Sequence, residues 1–198
     1  MDLKGKHVIL GSNSPRRREL LAGLNIDFEV DTRNNFNERF SPDTPYDEVP
    51  RLMSIGKSHG FHRPLAPNEI LITADTMVIL PPSDGRPGEI LGKPKDREDA
   101  IRMLRDLSGR EHHVVTAVTL RTIDKEQTFS CTTEVWFKDL SDEEITYYVD
   151  TFKPFDKAGA YAIQEWIGYA GITRIEGSYF NVVGFPVQRV YEALRKML

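Results

Sequence analysis

Ser12-Asn13-Ser14-Pro15-Arg16-Arg17-Arg18 places two hydroxyls and three guanidinium groups around a proline suited to the first turn of a helix. Ser14 is a natural N-cap. A helix N-terminus offers unpaired N–H groups and a partial positive charge, and arginine grips phosphate at two points. Three successive arginines oppose the dipole of their own helix, and a bound anion would relieve that repulsion. The chemistry this suggests is phosphate recognition, although no GxxxxGK[ST] loop is present. A capped surface helix with solvated arginines is the other reading of the same residues.

A second candidate is Thr73-Ala74-Asp75-Thr76, where an aspartate interrupts the apolar run Ile70–Leu80. Aspartate is depleted in strands. Asp75 then belongs at a strand end facing a cleft, at a bulge, or in solvent on an edge strand. On a rigid strand its carboxylate could bind Mg²⁺ or act as a general base. Lys93, held between Gly92 and Pro94, either aims an ammonium into a cleft or caps a solvated turn. Lys57 lies in an expected helix and Glu38 in a polar loop, and each also reads as an ordinary surface charge. In Asp156–Gln164 the small residues permit close backbone approach to a ligand, and the Gln164 amide can both donate to and accept from a base edge. Together these are parts for a phosphate-rich substrate. His112 and His113 are adjacent in a strand-like run, so they face opposite ways and do not share an ion. Trp136 and Trp166 read as packing residues.

The elements that must position these groups follow from periodicity. HVIL at residues 7–10 reads as a buried strand, followed by a helix from Pro15 to about residues 23–25 and a strand at 28–30. Residues 31–46 read as loop, 47–61 as helix, 70–80 as strand, 81–88 as a turn and 89–91 as a short returning arm. Ala100, Ile101, Met103, Leu104 and Leu107 give an amphipathic helix over 96–107. Runs 114–123 and 127–137 form a hairpin about Asp124-Lys125-Glu126. Ser141 and Glu144 fit a capping box for a helix to about residues 148–150. Residues 172–176 and 179–183 flank Gly177-Ser178 as a further hairpin, and 186–198 closes as a helix. Helices alternate with strands first and hairpins come later, which gives an α/β class with a mixed twisted sheet and flanking helices.

The chain of 198 residues is long enough to bury a full core. Its net charge of −4 argues against a general nucleic-acid coat protein, so no nucleic-acid polymer is expected as partner. A single cysteine, Cys131, forms no internal disulfide and points to a reduced, cytoplasmic setting. No apolar run reaches 18 residues, so no membrane span is expected, and the N-terminal segment reads as a first strand rather than a cleaved signal.

The motifs in order resemble the Maf family of nucleotide pyrophosphatases. Ser12–Arg17 with Glu19-Leu20-Leu21 is similar to its SxSPRRxELL opening, and Ala74-Asp75-Thr76 to its ADT strand. Leu91–Pro94 is similar to its LGKP turn, Asp156–Tyr161 with Ala162-Ile163-Gln164 to DKAGxYxIQ, and Gly177–Tyr179 with Val182–Pro186 to GSYxxVxGLP, with Phe185 replacing the usual Leu. The resemblance implies one Maf-like domain over residues 1–198, related to the inosine triphosphatase architecture, with two lobes around a cleft. It implies hydrolysis of a nucleoside triphosphate to monophosphate and pyrophosphate with a divalent metal, Mg²⁺ or Mn²⁺, and a homodimer.

By the resemblance, Asp75 is the general base, Glu38, Lys57 and Lys93 are further catalytic residues, and Glu38 and Asp75 hold the metal. Ser12, Ser14, Arg16, Arg17, Thr76 and Gln164 bind substrate. Two stretches depart from the family pattern: Asn35-Phe36-Asn37-Glu38 replaces an acidic DxDE-like run, and Ser54-Ile55-Gly56-Lys57-Ser58 replaces Ala-x-x-Lys-Ala. Arg16, Thr76 and Gln164 match the branch acting on dTTP and UTP, whereas a branch acting on 7-methyl-GTP carries Trp, Gln and Glu. The implied activity is thus a dTTP/UTP pyrophosphatase, extended to modified pyrimidine nucleotides. The alternative is a non-catalytic nucleotide-binding regulator of cell division.

Overall fold

A computed structural model describes residues 2–83 and 88–198. The strands are β1 (His7–Leu10), β2 (Phe28–Val30), β3 (Glu69–Leu80), β4 (Glu89–Leu91), β5 (Glu111–Arg121), β6 (Glu126–Phe137) and β7 (Ile172–Glu176). The helices are α1 (Pro15–Ala22), α2 (Val49–His59), α3 (Arg97–Leu107), α4 (Asp142–Phe152), α5 (Trp166–Gly171), α6 (Tyr179–Val183) and α7 (Val187–Met197), with a 3₁₀ turn at Ala158–Ala160. The seven strands form one mixed sheet in the order β2-β1-β3-β5-β6-β7, with β4 also paired to β3. The α/β class with flanking helices is therefore as expected. No helix among the described residues is long and apolar enough to cross a membrane.

The chain divides into two compact units, and β3, β5 and β6 each run from one into the other. The first comprises residues up to Asp75, Thr116–Cys131 and Gly184–Leu198. Here β1 pairs in parallel with both β2 and β3. Parallel strands are covered on both faces, which is why HVIL is apolar throughout. Val8 and Leu10 pack with Leu21, Ile70, Ile72, Phe185 and Leu194, while Ile9 joins Phe61, Leu65 and Leu71 in a second cluster. Helix α7 buries Val190, Ala193, Leu194 and Met197, one stripe at helical spacing.

The second unit comprises Thr76–Val115 and Thr132–Val183. Its core gathers Val78, Leu91, Leu104, Leu107, Phe137, Tyr148, Tyr161 and Ile167. Asp96 caps α3, and Ser141 with Glu144 completes the expected capping box of α4. The arm 89–91 pairs antiparallel with β3 as expected; residues 84–87 of the anticipated turn lie outside the described residues.

The expected hairpin over 172–183 is not formed. β7 pairs antiparallel with β6, and residues 179–183 are α6. Thr133 explains the change: its Oγ1 accepts from the Ser178 N–H at 3.0 Å and donates to the Ser178 carbonyl at 3.1 Å. Ser178 Oγ then accepts from the Asn181 N–H, capping a helical turn. Asn181 is buried, and its amide donates to the Val114 carbonyl and to Thr133 Oγ1. A polar side chain with partners inside the unit thus overrides a strand-like local pattern. Helix α5 has no counterpart in the sequence expectation.

Candidate active site

Asp75 sits inside β3, neither at a strand end nor in solvent, with 9% of its surface exposed. β1 pairs with residues 69–72 of β3 and β4 with residues 78–80, so neither ladder includes Asp75. Its Oδ1 lies 2.6 Å from Lys57 Nζ. The same ammonium lies 3.2 Å from Glu38 Oε1. Lys57 therefore bridges the strand carboxylate and the loop carboxylate, and three of the anticipated residues converge on one point.

The local sequence explains why Lys57 reaches that point. Ser54, one turn earlier on α2, is buried and donates to the Thr73 carbonyl at 3.3 Å. Thr73 Oγ1 returns a bond to the Ser54 carbonyl at 2.8 Å, and Ser54 Oγ meets Thr119 Oγ1 at 2.8 Å. These bonds fix the register of α2 against the strand two residues before Asp75. At the end of α2, Arg121 donates to Ser58 Oγ at 2.9 Å and to the Ser58 carbonyl. Both serines that replace the resemblance's alanines are thus buried with hydrogen-bond partners. Their hydroxyls carried no signal in the sequence, because their partners lie on distant strands.

The loop that carries the other departure packs against Gly56 and Gly60. A Cβ at Gly56 would stand 2.2 Å from the Phe36 ring, and one at Gly60 2.6 Å from Phe36 Cβ. The Phe36 side chain lies directly on α2, and Asn34 Nδ2 donates to the Lys57 carbonyl at 2.5 Å. This seats the loop that carries Glu38, which is itself exposed.

At the start of α1, Ser14 caps the helix by accepting from the Arg17 N–H. Ser12 is buried, and its Oγ accepts from the Ser14 N–H at 3.3 Å and from Arg17 Nη1 at 3.2 Å. Arg17 also donates through Nε to the Gly184 carbonyl at 2.9 Å and through Nη1 to the Ala74 carbonyl at 2.8 Å. That carbonyl immediately precedes Asp75. Burial pulls the Arg17 pKa below the usual arginine value, Asp75 and Glu38 oppose the shift, and Arg16 adds to it. Arg17 thereby ties the β1–α1 loop to the strand carrying Asp75. Arg16 is half-buried.

The remaining anticipated residues belong to the second unit. Thr76 is half-buried and, one position after Asp75, faces the other side of the strand. Lys93 is exposed. The Gly159 N–H donates to the Gly92 carbonyl at 3.0 Å, so the Lys93 turn and the 156–164 segment are joined. Gly159 has φ +67°, and a Cβ there would meet Val78 at 2.8 Å, so glycine is required. Gln164 is half-buried, with its Oε1 shielded from solvent and no hydrogen-bond partner among the described residues.

The Glu38 and Asp75 carboxylates supply oxygen donors of the kind a divalent cation takes, with the Lys57 ammonium lying between them. Among the described residues, a separate group of three metal-capable side chains is formed by Glu111, His113 and Glu134, with ligand atoms within 4.8 Å of one another. Glu111 and His113 alternate onto one face of β5, and Glu134 comes from β6. The sequence pointed to no such group; the i, i+2 spacing was legible, but the strand register supplying Glu134 was not. His112 faces the other way, as expected, and is buried with Nε2 2.7 Å from the Tyr161 hydroxyl.

Residues 7–197 match the family model described as Maf-like protein. The chain belongs to the Maf family. This Maf chain is 46% identical over 196 residues to the dTTP/UTP pyrophosphatase of Phocaeicola vulgatus, covering 99% of this chain and 98% of that one. It is 46% identical over 190 residues to the dTTP/UTP pyrophosphatase of Bacteroides thetaiotaomicron, covering 96% and 95% of the two chains. The Porphyromonas gingivalis W83 dTTP/UTP pyrophosphatase is likewise 46% identical over 196 residues, covering 98% of this Maf chain and 96% of its own. Among solved structures, a HAM1 protein from Coxiella burnetii matches with a TM-score of 0.48 and 12% identity, over 96% of this chain and 99% of that one.

Proposed function

We propose that this Maf protein hydrolyses dTTP and UTP to the monophosphate and pyrophosphate. The observation that carries the reading is the convergence of Asp75 and Glu38 on Lys57, within a chain similar over nearly its full length to dTTP/UTP pyrophosphatases. Water attacks the α-phosphorus, the bridging α–β P–O bond breaks, and pyrophosphate departs. Asp75 accepts the proton of that water, and the Lys57 pairing fixes the direction of its carboxylate. Mg²⁺ or Mn²⁺ held by Glu38 and Asp75 would supply neutralisation of phosphate charge and a more acidic water. The start of α1, with Ser12, Ser14 and Arg16, receives phosphate, and Arg17 holds that loop in place. Lys57 and Lys93 offset the negative charge that builds up as the bond breaks.

Thr76 and Gln164, with Arg16, carry the pyrimidine preference. The Gln164 amide complements the O4/N3 edge of uracil and thymine, whereas glutamate would suit the donor-rich edge of guanine. On this reading the two units are lobes of a single Maf domain over residues 1–198, and the protein is a cytoplasmic homodimer, checked by sedimentation and by cell fractionation. The decisive test measures pyrophosphate formed from a panel of nucleoside triphosphates with Mg²⁺ or Mn²⁺. Preferential turnover of dTTP and UTP is the expected result, and kcat/KM on modified uracil and thymine nucleotides extends it. Binding without pyrophosphate release would instead mark a nucleotide sensor.

A further inference from the structure

Tyr148 is a buried residue of α4 whose hydroxyl spans the segment carrying Gln164. It accepts from the Ala162 N–H at 3.1 Å and donates to Glu165 Oε2. One phenol oxygen thus closes a bridge across residues 162–165. Lys157, 8% exposed, lies 3.3 Å from the other Glu165 oxygen, Oε1, and 2.8 Å from Asp156 Oδ1. Glu165 is therefore held at both of its oxygens, by a phenol and by an ammonium. A third constraint acts on the backbone between them. A Cβ at Gly168 would stand 1.8 Å from the Ile163 carbonyl oxygen, so α5 closes directly onto the residue before Gln164.

Gln164, the residue inside this frame, is the one whose side chain keeps an acceptor unused: Oε1 is shielded from water and has no partner among the described residues. A buried acceptor without a donor is unfavourable until a ligand supplies one. The rigidity of its support decides how well it selects a donor, since hydrogen-bond strength falls steeply with misdirection. A phenylalanine at 148 would keep the buried ring in place and remove only the hydroxyl.

We propose that Tyr148 and Lys157, acting through Glu165, are positioning residues that aim the Gln164 amide and thereby set the base preference. The proposal rests on the reading of Gln164 as the base-recognising residue. Without the phenol oxygen, the Ala162 N–H and the Glu165 carboxylate lose their shared anchor, and the amide gains freedom to turn. The uracil edge, with N3–H as donor, and the cytosine edge, with N3 as acceptor, then become harder to tell apart.

The test compares wild type with Tyr148→Phe, Glu165→Gln and Gln164→Ala. Two readouts are used: kcat and KM for UTP and CTP, and equilibrium binding of α,β-methylene analogues of UTP and CTP. For Tyr148→Phe the expected result is a UTP-over-CTP preference reduced about tenfold, entering through KM and analogue affinity, while kcat falls less than threefold. Glu165→Gln keeps an acceptor for the phenol but loses the Lys157 charge pair, and a partial loss of preference is expected. Thermal unfolding of each variant separates this from collapse of α4, which would lower kcat and both affinities together. If Gln164→Ala abolishes the preference but Tyr148→Phe and Glu165→Gln retain it, the positioning role is overturned. If Gln164→Ala itself retains the preference, the reading of Gln164 falls, and this inference with it.

Discussion

At the residue scale, the cluster built on Lys57 separates two kinds of basic residue. Lys57 is held between two carboxylates, whereas Arg17 spends its Nε and Nη1 on the Gly184 and Ala74 carbonyls and on Ser12. Arg16, its neighbour in the sequence, is half-buried and, on the proposed reading, contacts phosphate. Arg17→Met should therefore destabilise the protein by about 2–4 kcal/mol, because several charge-assisted bonds of a buried guanidinium are lost. Arg16→Met should raise KM for UTP. Thermal unfolding of Arg17→Met and steady-state kinetics of Arg16→Met check the two expectations, and an unchanged melting temperature in the first or an unchanged KM in the second would contradict them. Asp75→Asn keeps the shape of the side chain but removes the proton acceptor. A fall in kcat of about 10²–10⁴ is expected, with folding preserved as judged by circular dichroism. Near-normal turnover would remove Asp75 from the role of base.

At the element scale, the loop bearing Glu38 is positioned by what α2 lacks. Gly56 leaves the space occupied by the Phe36 ring. Gly56→Ala gains up to about 1 kcal/mol of helix propensity but forces the half-buried ring away by more than an ångström. The ring can swing outward, so the expected stability change is small, while Glu38 moves with its loop and kcat/KM falls about tenfold. Adding Phe36→Leu should recover much of that loss, and a double-mutant cycle showing no coupling between the two positions would refute the fit. This pair also marks the limit of what the sequence disclosed. The motif residues of β3 and α1 were legible because their types are unusual for their elements, an aspartate in an apolar strand and arginines at a helix start, whereas Lys57 and Glu38 were singled out by the resemblance alone. The contact of Phe36 with Gly56, the Ser54–Thr73–Thr119 bonds and the Tyr148–Glu165 bridge were not legible. Each joins residues far apart in sequence through ordinary side chains, and only the register of the folded elements brings them together. Helix α6 was misread for the same reason, since Thr133 on β6 supplies the bonds that convert its start from strand to helix.

At the scale of the whole molecule, acid should act through a buried histidine and through paired carboxylates in different pH windows. His112, buried in the second unit against Phe137 and Tyr161, has its pKa pushed down to about 3 by burial, with a smaller contribution from His113. The unfolded chain takes up this proton near pH 6.5, while the folded chain resists until about pH 3. Between those values the unfolded state holds more protons, so stability is full above pH 6.5 and declines as the pH is lowered. At ~1.4 kcal/mol per pKa unit the decline amounts to several kcal/mol across the window. In the first unit, the Arg63 hydrogen bond lowers Glu69 to about 2, and Arg33 and His62 hold Asp31 well below the usual carboxylate range. Those contributions are present above about pH 4.5 and are lost only as the pH falls further. Trp136 and Trp166 both lie in the second unit, so tryptophan fluorescence reports on the part that contains His112. Urea midpoints read by fluorescence should drop between pH 6.5 and pH 4.5 in the wild type. His112→Phe removes the titrating group while keeping an aromatic ring beside Phe137, and it should flatten the midpoint over that interval. A wild-type slope retained in His112→Phe would place the acid sensitivity elsewhere, and a slope confined to below pH 4.5 would assign it to paired carboxylates such as Glu69, Asp31, Asp99, Glu144 and Asp150 rather than to His112.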